Sequence, residues 1–443
     1  MKHKTSYNIN QRFTDANTKN FKLLFYALII GLIVGLVGAF FRITLSYIEN
    51  FRDALYKSTG NSEFISWLWP ILFAITGISI SLFLVRKFAP EASGSGIHEI
   101  EGALDGIRPM RWKRVLPIKF IASLFSLGSG LLLGREGPII QLGANIGKMV
   151  NNTLGLSEIE NNALISTGAA AGLASAFNAP FAGIIFIIEE MHGHFRFNFY
   201  SVAAIMIGTG ASDFVVRILI DSNPVIKMTV FPNSNIFGLW LFIVLGLLFS
   251  IVGYLYNKLL ILSMDFFQIS LKTPIIFTVV FAGLIIAIIG IFFPEMIGGG
   301  YNTITKVLDH SFALNFLLLL FIVRMLLSIF SYSLGVPGGI FAPMLTLGVI
   351  LGMLFGIILQ HYFPDSISNP DIFAIAGMAG MFASTVRAPL TGLVLAVEMT
   401  SNFELILPLI VTTVTASAFT ALLGNKPIYT TLLKRTLENT KHK

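Results

Sequence analysis

The sequence predicts an all-α, polytopic membrane protein assembled from two related halves, and three observations carry that expectation. Of 443 residues, 55% are hydrophobic and only 12% charged, with 40 phenylalanines and a mean hydropathy of +0.79; an average soluble domain is about 25% charged. About eleven apolar segments recur along the chain, several near the length of a spanning helix. Finally, the chain contains itself twice. GREGPIIQLG (134–143) aligns with GIFAPMLTLG (339–348), matching Gly134 to Gly339, Pro138 to Pro343, Leu142 to Leu347 and Gly143 to Gly348. LASAFNAPFAGIIFIIE (173–189) aligns with FASTVRAPLTGLVLAVE (382–398), matching Ser175 to Ser384, Pro180 to Pro389, Gly183 to Gly392 and Glu189 to Glu398. Duplicated halves in a membrane protein point to a transporter with its site at their interface.

In chain order, residues 1–21 are polar and basic, with no signal-peptide pattern, and read as a cytoplasmic tail. A first membrane repeat spans 22–222, with clear apolar spans at 21–41 and 65–85. Residues 223–235 form a linker, and a second repeat spans 236–433, with spans at 239–256, 274–293 and 315–330. Residues 434–443 are a basic C-terminal tail. The Lys/Arg bias places both tails and the basic stretch 106–119 inside the cell. Both termini inside, with an odd number of crossings per half, makes the repeats inverted. The net charge of +7 then reflects membrane topology rather than nucleic-acid binding, since the basic residues flank spans. Cysteine is absent, which excludes disulfide, iron–sulfur and thiol chemistry. His192 and His194 lack further ligands at metal-site spacing. There is no nucleotide-binding loop and no nucleophile–base pair to support a membrane enzyme.

Four stretches break the apolar pattern: GSGIHEIEG (94–102), GREGP (134–138), GVPGGIFAP (335–343) and GNKPIYTTLL (424–433). Irregular backbone at membrane depth is tolerated only where protein buries it or it lines a cavity. Gly94, Gly96, Gly134, Gly137 and Gly339 leave backbone N–H groups open to a ligand, and Pro138 and Pro343 fit the first turn of helices starting there. Converging helix starts make an anion site without a full positive charge. GREGP adds a charged pair, Arg135 and Glu136. A charge at membrane depth costs about 2.5–3.5 kcal/mol on insertion scales, so Glu136 needs a partner or a purpose. Neighbours in sequence do not face each other on a helix, which disfavours pairing with Arg135.

These stretches resemble the signatures of the CLC family of chloride channels and proton-coupled chloride transporters: GSGIH is similar to GSGIP, GREGP matches, and GGIFAP matches. The likeness covers about residues 25–433 and is strongest to bacterial H⁺/Cl⁻ exchange transporters without cytoplasmic regulatory domains. It implies the CLC inverted repeat, with helix N-termini meeting at a central anion site. By the same likeness, Glu136 is an external gate whose carboxylate competes with chloride. Ser95 and Tyr429 donate hydroxyls to the ion, and Ile340 and Phe341 donate backbone N–H groups. Glu190, in IIEEM, passes protons from the cytoplasm, and its presence favours exchange over a passive channel of the same fold. Glu189 aligns with Glu398 in the repeat, and the two are read as structural residues, capping or salt-bridged. Lys119 raises the local positive potential or, as the stronger reading, snorkels at the membrane interface. The resemblance also implies a homodimer in the bacterial inner membrane, with chloride, protons and lipid as partners and no cofactor beyond bound chloride. His98 departs from the usual signature proline and puts an imidazole near the inner mouth. A fluoride/proton antiporter is a further alternative, against which Ser95 argues.

Overall fold

Glycine and proline punctuate the apolar chain, and its helices begin and end where they fall. The computed structural model describes residues 4–59, 64–226, 228, 238–269, 275–364 and 369–441. Seventeen α-helices occur among the described residues. The first eight are α1 (Lys4–Ser58), α2 (Phe64–Phe88), α3 (Ile97–Leu104), α4 (Trp112–Gly128), α5 (Glu136–Leu154), α6 (Glu158–Phe177), α7 (Pro180–Glu189) and α8 (Phe199–Leu219). The next eight repeat the order: α9 (Leu239–Ile269), α10 (Ile275–Phe292), α11 (Tyr301–Leu308), α12 (Leu314–Ser333), α13 (Phe341–Tyr362), α14 (Asp371–Val386), α15 (Pro389–Thr400) and α16 (Ile406–Leu422). A last helix, α17 (Ile428–Lys441), follows. Of the expected N-terminal tail, residues 4–20 continue the backbone of α1, and residues 1–3 lie outside the described residues, as do 227 and 229–235 around the expected linker and 442–443 of the expected C-terminal tail.

Seven helices are long and apolar enough to cross a membrane, and four shorter ones are apolar. Hydropathy missed helices such as α6, EIENNALISTGAAAGLASAF, whose residues are small or polar yet buried from Asn161 to Phe177. Small residues let backbones touch, which is how helices associate without a hydrophobic drive in lipid. A Cβ on Gly143 would stand 2.0 Å from the Gly168 carbonyl oxygen, so α5 and α6 cross backbone to backbone. The repeat mates do the same: a Cβ on Gly348 would stand 2.4 Å from the Gly377 carbonyl oxygen, fixing α13 on α14.

A third repeated block emerges from the structure. PEASGSGIHEIEGALD (90–105) and PEMIGGGYNTITKVLD (294–309) each form a 3₁₀ turn, a glycine loop and an eight-residue helix. Gly96 and Gly300 precede α3 and α11 at φ of 82° and 106°, a region costly for residues with a Cβ. The two halves also grip each other through their matched glutamates. Glu189 accepts from the N–H groups of Leu390 (2.9 Å) and Thr391 (2.6 Å) and from the Thr391 hydroxyl (2.7 Å), at the start of α15. Glu398 accepts from the N–H groups of Phe181 (3.1 Å) and Ala182 (2.7 Å), at the start of α7. Each carboxylate satisfies helix-start donors that have no partner within their own helix. Glu398→Ala would leave two such donors open and is expected to cost about 1–2 kcal/mol. Thermal unfolding in detergent should show a midpoint lower by a few degrees; an unchanged midpoint would remove this capping from the stability account.

Candidate ion-transport site

The loops before α5 and α13 meet as a short antiparallel pair. Gly134 N–H donates to the Gly339 carbonyl at 2.7 Å, and Gly339 N–H returns the bond to Gly134 at 2.7 Å. Two helix starts are thereby brought together, one from each half. Pro138 and Pro343 occupy the first turn of α5 and α13, where no intrahelical N–H bond is lost. A Cβ on Gly137 would stand 2.8 Å from the Ser95 Cα, so only glycine lets α5 start against the Gly94–Gly96 loop.

Glu136 is the first residue of α5 and is fully buried. Its Oε2 accepts from the Ala342 N–H at 3.3 Å, in the first turn of α13. Its Oε1 accepts from the Tyr301 hydroxyl. The carboxylate thus sits over a helix N-terminus, the place where an anion is favoured. A Cβ on Gly134 would stand 2.0 Å from Glu136 Oε2, so that glycine is what admits the carboxylate. Arg135 does not neutralise it: the guanidinium lies over the Tyr301 ring, 4.5 Å from its centroid. No described ion pair joins Arg135 to Glu136.

Ser95 is fully buried, and its hydroxyl oxygen accepts from the Ile97 N–H at 3.4 Å at the start of α3. The Ser95 N–H donates to the Tyr332 hydroxyl at 3.5 Å, and the two hydroxyls are within hydrogen-bonding reach of each other. Ile340 is the N-cap of α13 and Phe341 its first residue. The Phe341 ring stacks on Phe382 at 5.0 Å and meets the Tyr429 ring edge-on at 6.0 Å. Tyr429 is fully buried and its hydroxyl has no partner among the described residues. A buried hydroxyl left unpaired is uncommon in native structures, and here a ligand is the natural acceptor. Two cavities approach this centre. One, of about 380 Å³, is lined by Ser93, Gly94, His98, Glu99, Arg108, Tyr332 and Arg435 and reaches the Ser95 loop. The other, of about 440 Å³, is lined by Glu49, Arg52, Asp53, Glu295, Gly298, Gly299, Gly300 and Lys306 and ends on Tyr301, next to Glu136.

Residues 77–421 match the family described as voltage gated chloride channel. This chain belongs to that family, the CLC proteins. It is 43% identical over 434 residues to the H(+)/Cl(-) exchange transporter ClcA of Salmonella arizonae, spanning 96% of this chain and 91% of that one. It is 44% identical over 422 residues to the protein of the same name from Salmonella schwarzengrund, with 94% and 89% of the two chains covered. Among solved structures, a slow cyanobacterial Cl⁻/H⁺ antiporter superposes with a TM-score of 0.90 at 38% identity, covering 94% of this chain and 98% of the other. A CLC-type fluoride/proton antiporter shares the fold at a TM-score of 0.76 and 21% identity, over 90% and 95% of the chains. The CLC fold is an inverted repeat, and the Gly134–Gly339 pair joins its halves across the centre.

The remaining residues of this CLC protein divide between expectation and correction. Glu190 terminates α7 and is half-buried; its Oε1 is buried without a partner, while the adjacent Glu189 is committed to α15. The snorkelling expected of Lys119 is wrong. Its side chain is fully buried, and Nζ donates to the carbonyls of Ala92 (2.9 Å) and Gly94 (2.7 Å). Those loop carbonyls have no helix to accept for, so a buried ammonium ties them down. His98 is buried on the wall of the Ser95-side cavity, with Nε2 3.9 Å from Glu99 and Nδ1 unpartnered. Two residues escaped the sequence reading. Glu101 is fully buried, neither carboxylate oxygen has a hydrogen-bond partner among the described residues, and it lies within electrostatic reach of Glu190. The unusual acid density of HEIEGALD was the available signal. Tyr301 is the other; the third repeat block places it opposite Ile97, directly after a glycine loop like that of Ser95.

Proposed function

We propose that this protein exchanges chloride for protons across the bacterial inner membrane. The observation that carries the reading is the seat of Glu136: a buried carboxylate on the N-terminus of α13, bonded to donors rather than to a cation. An ionised carboxylate and a chloride ion want the same helix-start donors and repel each other at close range. Protonation removes the carboxylate's claim, the side chain leaves, and the ion enters. Chloride is held by the hydroxyls of Ser95 and Tyr429 and the N–H groups of Ile340 and Phe341, without a full positive charge, so that it can also depart. Glu190 receives protons from the cytoplasmic side, beside Glu101, and supplies them to Glu136. The Lys/Arg bias orients both termini and the His98 cavity toward the cytoplasm, which turns the Tyr301 cavity outward. Exposed apolar faces on α7, α15 and α16, with Phe181, Leu390, Leu407, Ile410 and Val414, support a homodimer.

A passive chloride channel of the same fold is the competing reading. Reversal potentials in liposomes with equal chloride on both sides and a pH gradient separate the two. A univalent ion gradient of tenfold is worth roughly 59 mV. Exchange shifts the reversal potential by a substantial fraction of that value per pH unit; a channel leaves it at zero, and that outcome would reject exchange.

A further inference from the structure

We infer that the Tyr301 hydroxyl is a latch that holds the Glu136 carboxylate in its seat, making Tyr301 a positioning residue for gating from the outer side. The inference rests on the reading of Glu136 as the gate. Among the described residues each oxygen of that carboxylate has one donor, Tyr301 on Oε1 and the Ala342 N–H on Oε2. The backbone contact is long, at 3.3 Å, so the phenol is the closer of the two.

The phenol is delivered by a rigid device. Arg324 is 1% exposed, and its guanidinium donates to the carbonyls of Glu295 (2.7 Å), Ile297 (3.2 Å) and Gly298 (2.9 Å) and to the Thr303 hydroxyl (3.4 Å). These bonds tie down the loop on both sides of Tyr301. A Cβ on Gly300 would stand 2.2 Å from Thr346 Oγ1 and 2.6 Å from Arg324 Nη2, so the loop closes against α13 only as glycine. Arg135 covers the ring at 4.5 Å, a cation–π contact that fixes its plane. The ring is also the floor of the outer cavity, with Glu136 buried beneath it. The repeat mate of Tyr301 is Ile97, which has no side-chain donor, so the latch exists in one half only.

A hydrogen bond to an ionised acceptor is about twice as strong as a neutral one. The phenol therefore favours the ionised, seated carboxylate over the protonated, departed one. Arg42 and Glu49 on α1 lie within electrostatic reach of Glu136, Arg135 lies beside the gate, and Arg52 and Asp53 act in turn on Glu49 and Asp213 on Arg42; a Tyr301→Phe substitution alters none of them.

The test is chloride efflux from liposomes as a function of pH, with protons recorded simultaneously. Tyr301→Phe is expected to raise efflux near neutral pH and move the acid-activation profile up by about one unit, a tenfold change in the proton concentration required. Proton coupling persists, because Glu136 and Glu190 remain. Incorporating a more acidic fluorinated tyrosine at 301 strengthens the donor and moves the profile the other way without removing the ring. In a Glu136→Ala background, neither replacement has an effect on the profile. An unmoved profile in Tyr301→Phe, the same direction of shift for both replacements, or an equal change without Glu136 overturns the latch while leaving the gate intact. Proton coupling that survives Glu136→Ala overturns the gate and the latch together.

Discussion

Glu136→Ala is expected to reduce proton movement to the background of empty vesicles while chloride continues to flow, in liposomes with both ions recorded. The substitution removes the only carboxylate on the N-terminus of α13 among the described contacts and leaves the Ala342 N–H and Tyr301 hydroxyl facing an open seat. Chloride can take that seat whether the solution is acid or neutral, so efflux also loses its acid activation. Folding should survive. A buried carboxylate is costly unless fully paired, and α5 keeps the Gly134–Gly339 bridge and the backbone crossing with α6. Unaltered coupling in this variant would remove Glu136 from the mechanism.

Glu190→Gln should likewise stop proton movement and spare chloride. Glutamine keeps the length and shape at the end of α7 but carries no exchangeable charge. Glu190 spends no hydrogen bonds on structure through its buried Oε1, in contrast to Glu189, which carries three contacts to α15. A residue that only held the fold would lose stability on substitution. A half-buried acid whose buried oxygen is unpartnered should lose none, and its amide should unfold at the same temperature or higher. The pair of readings is therefore diagnostic: proton flux absent with an undiminished unfolding midpoint. Continued proton transport would assign the inner proton step elsewhere, and Glu101, buried and unpartnered nearby, is the alternative carrier to substitute next.

Glu136 was legible because a lone acid between glycines in an apolar run conflicts with burial and demands an explanation. The matched structural roles of Glu189 and Glu398 were legible from their shared position in the repeat. Helix number was not. Apolar runs report lipid-facing surface, whereas α5 and α6 hide small and polar residues inside the protein, where hydropathy has no purchase. Lys119 was misread for a related reason: next to apolar residues a lysine reads as an interfacial anchor, and the carbonyls that receive it come from a loop 25 and 27 residues earlier. Tyr301 had only the glycine loop before it as a local mark, and its partner is 165 residues away.

By itself, the sequence determined the membrane class, the duplication and the four breaks where helices must start, because each is a property of composition or of neighbouring residues: side-chain transfer energy, the missing Cβ of glycine, the fixed φ of proline. The tertiary structure alone decided what those starts face. Folding the second half against the first set the amide of Ala342 on a carboxylate 206 residues away, dropped Tyr301 onto its other oxygen and buried Lys119 under the Ser95 loop. Such contacts depend on how backbones cross at distant glycines, and that packing is written in no single stretch of chain.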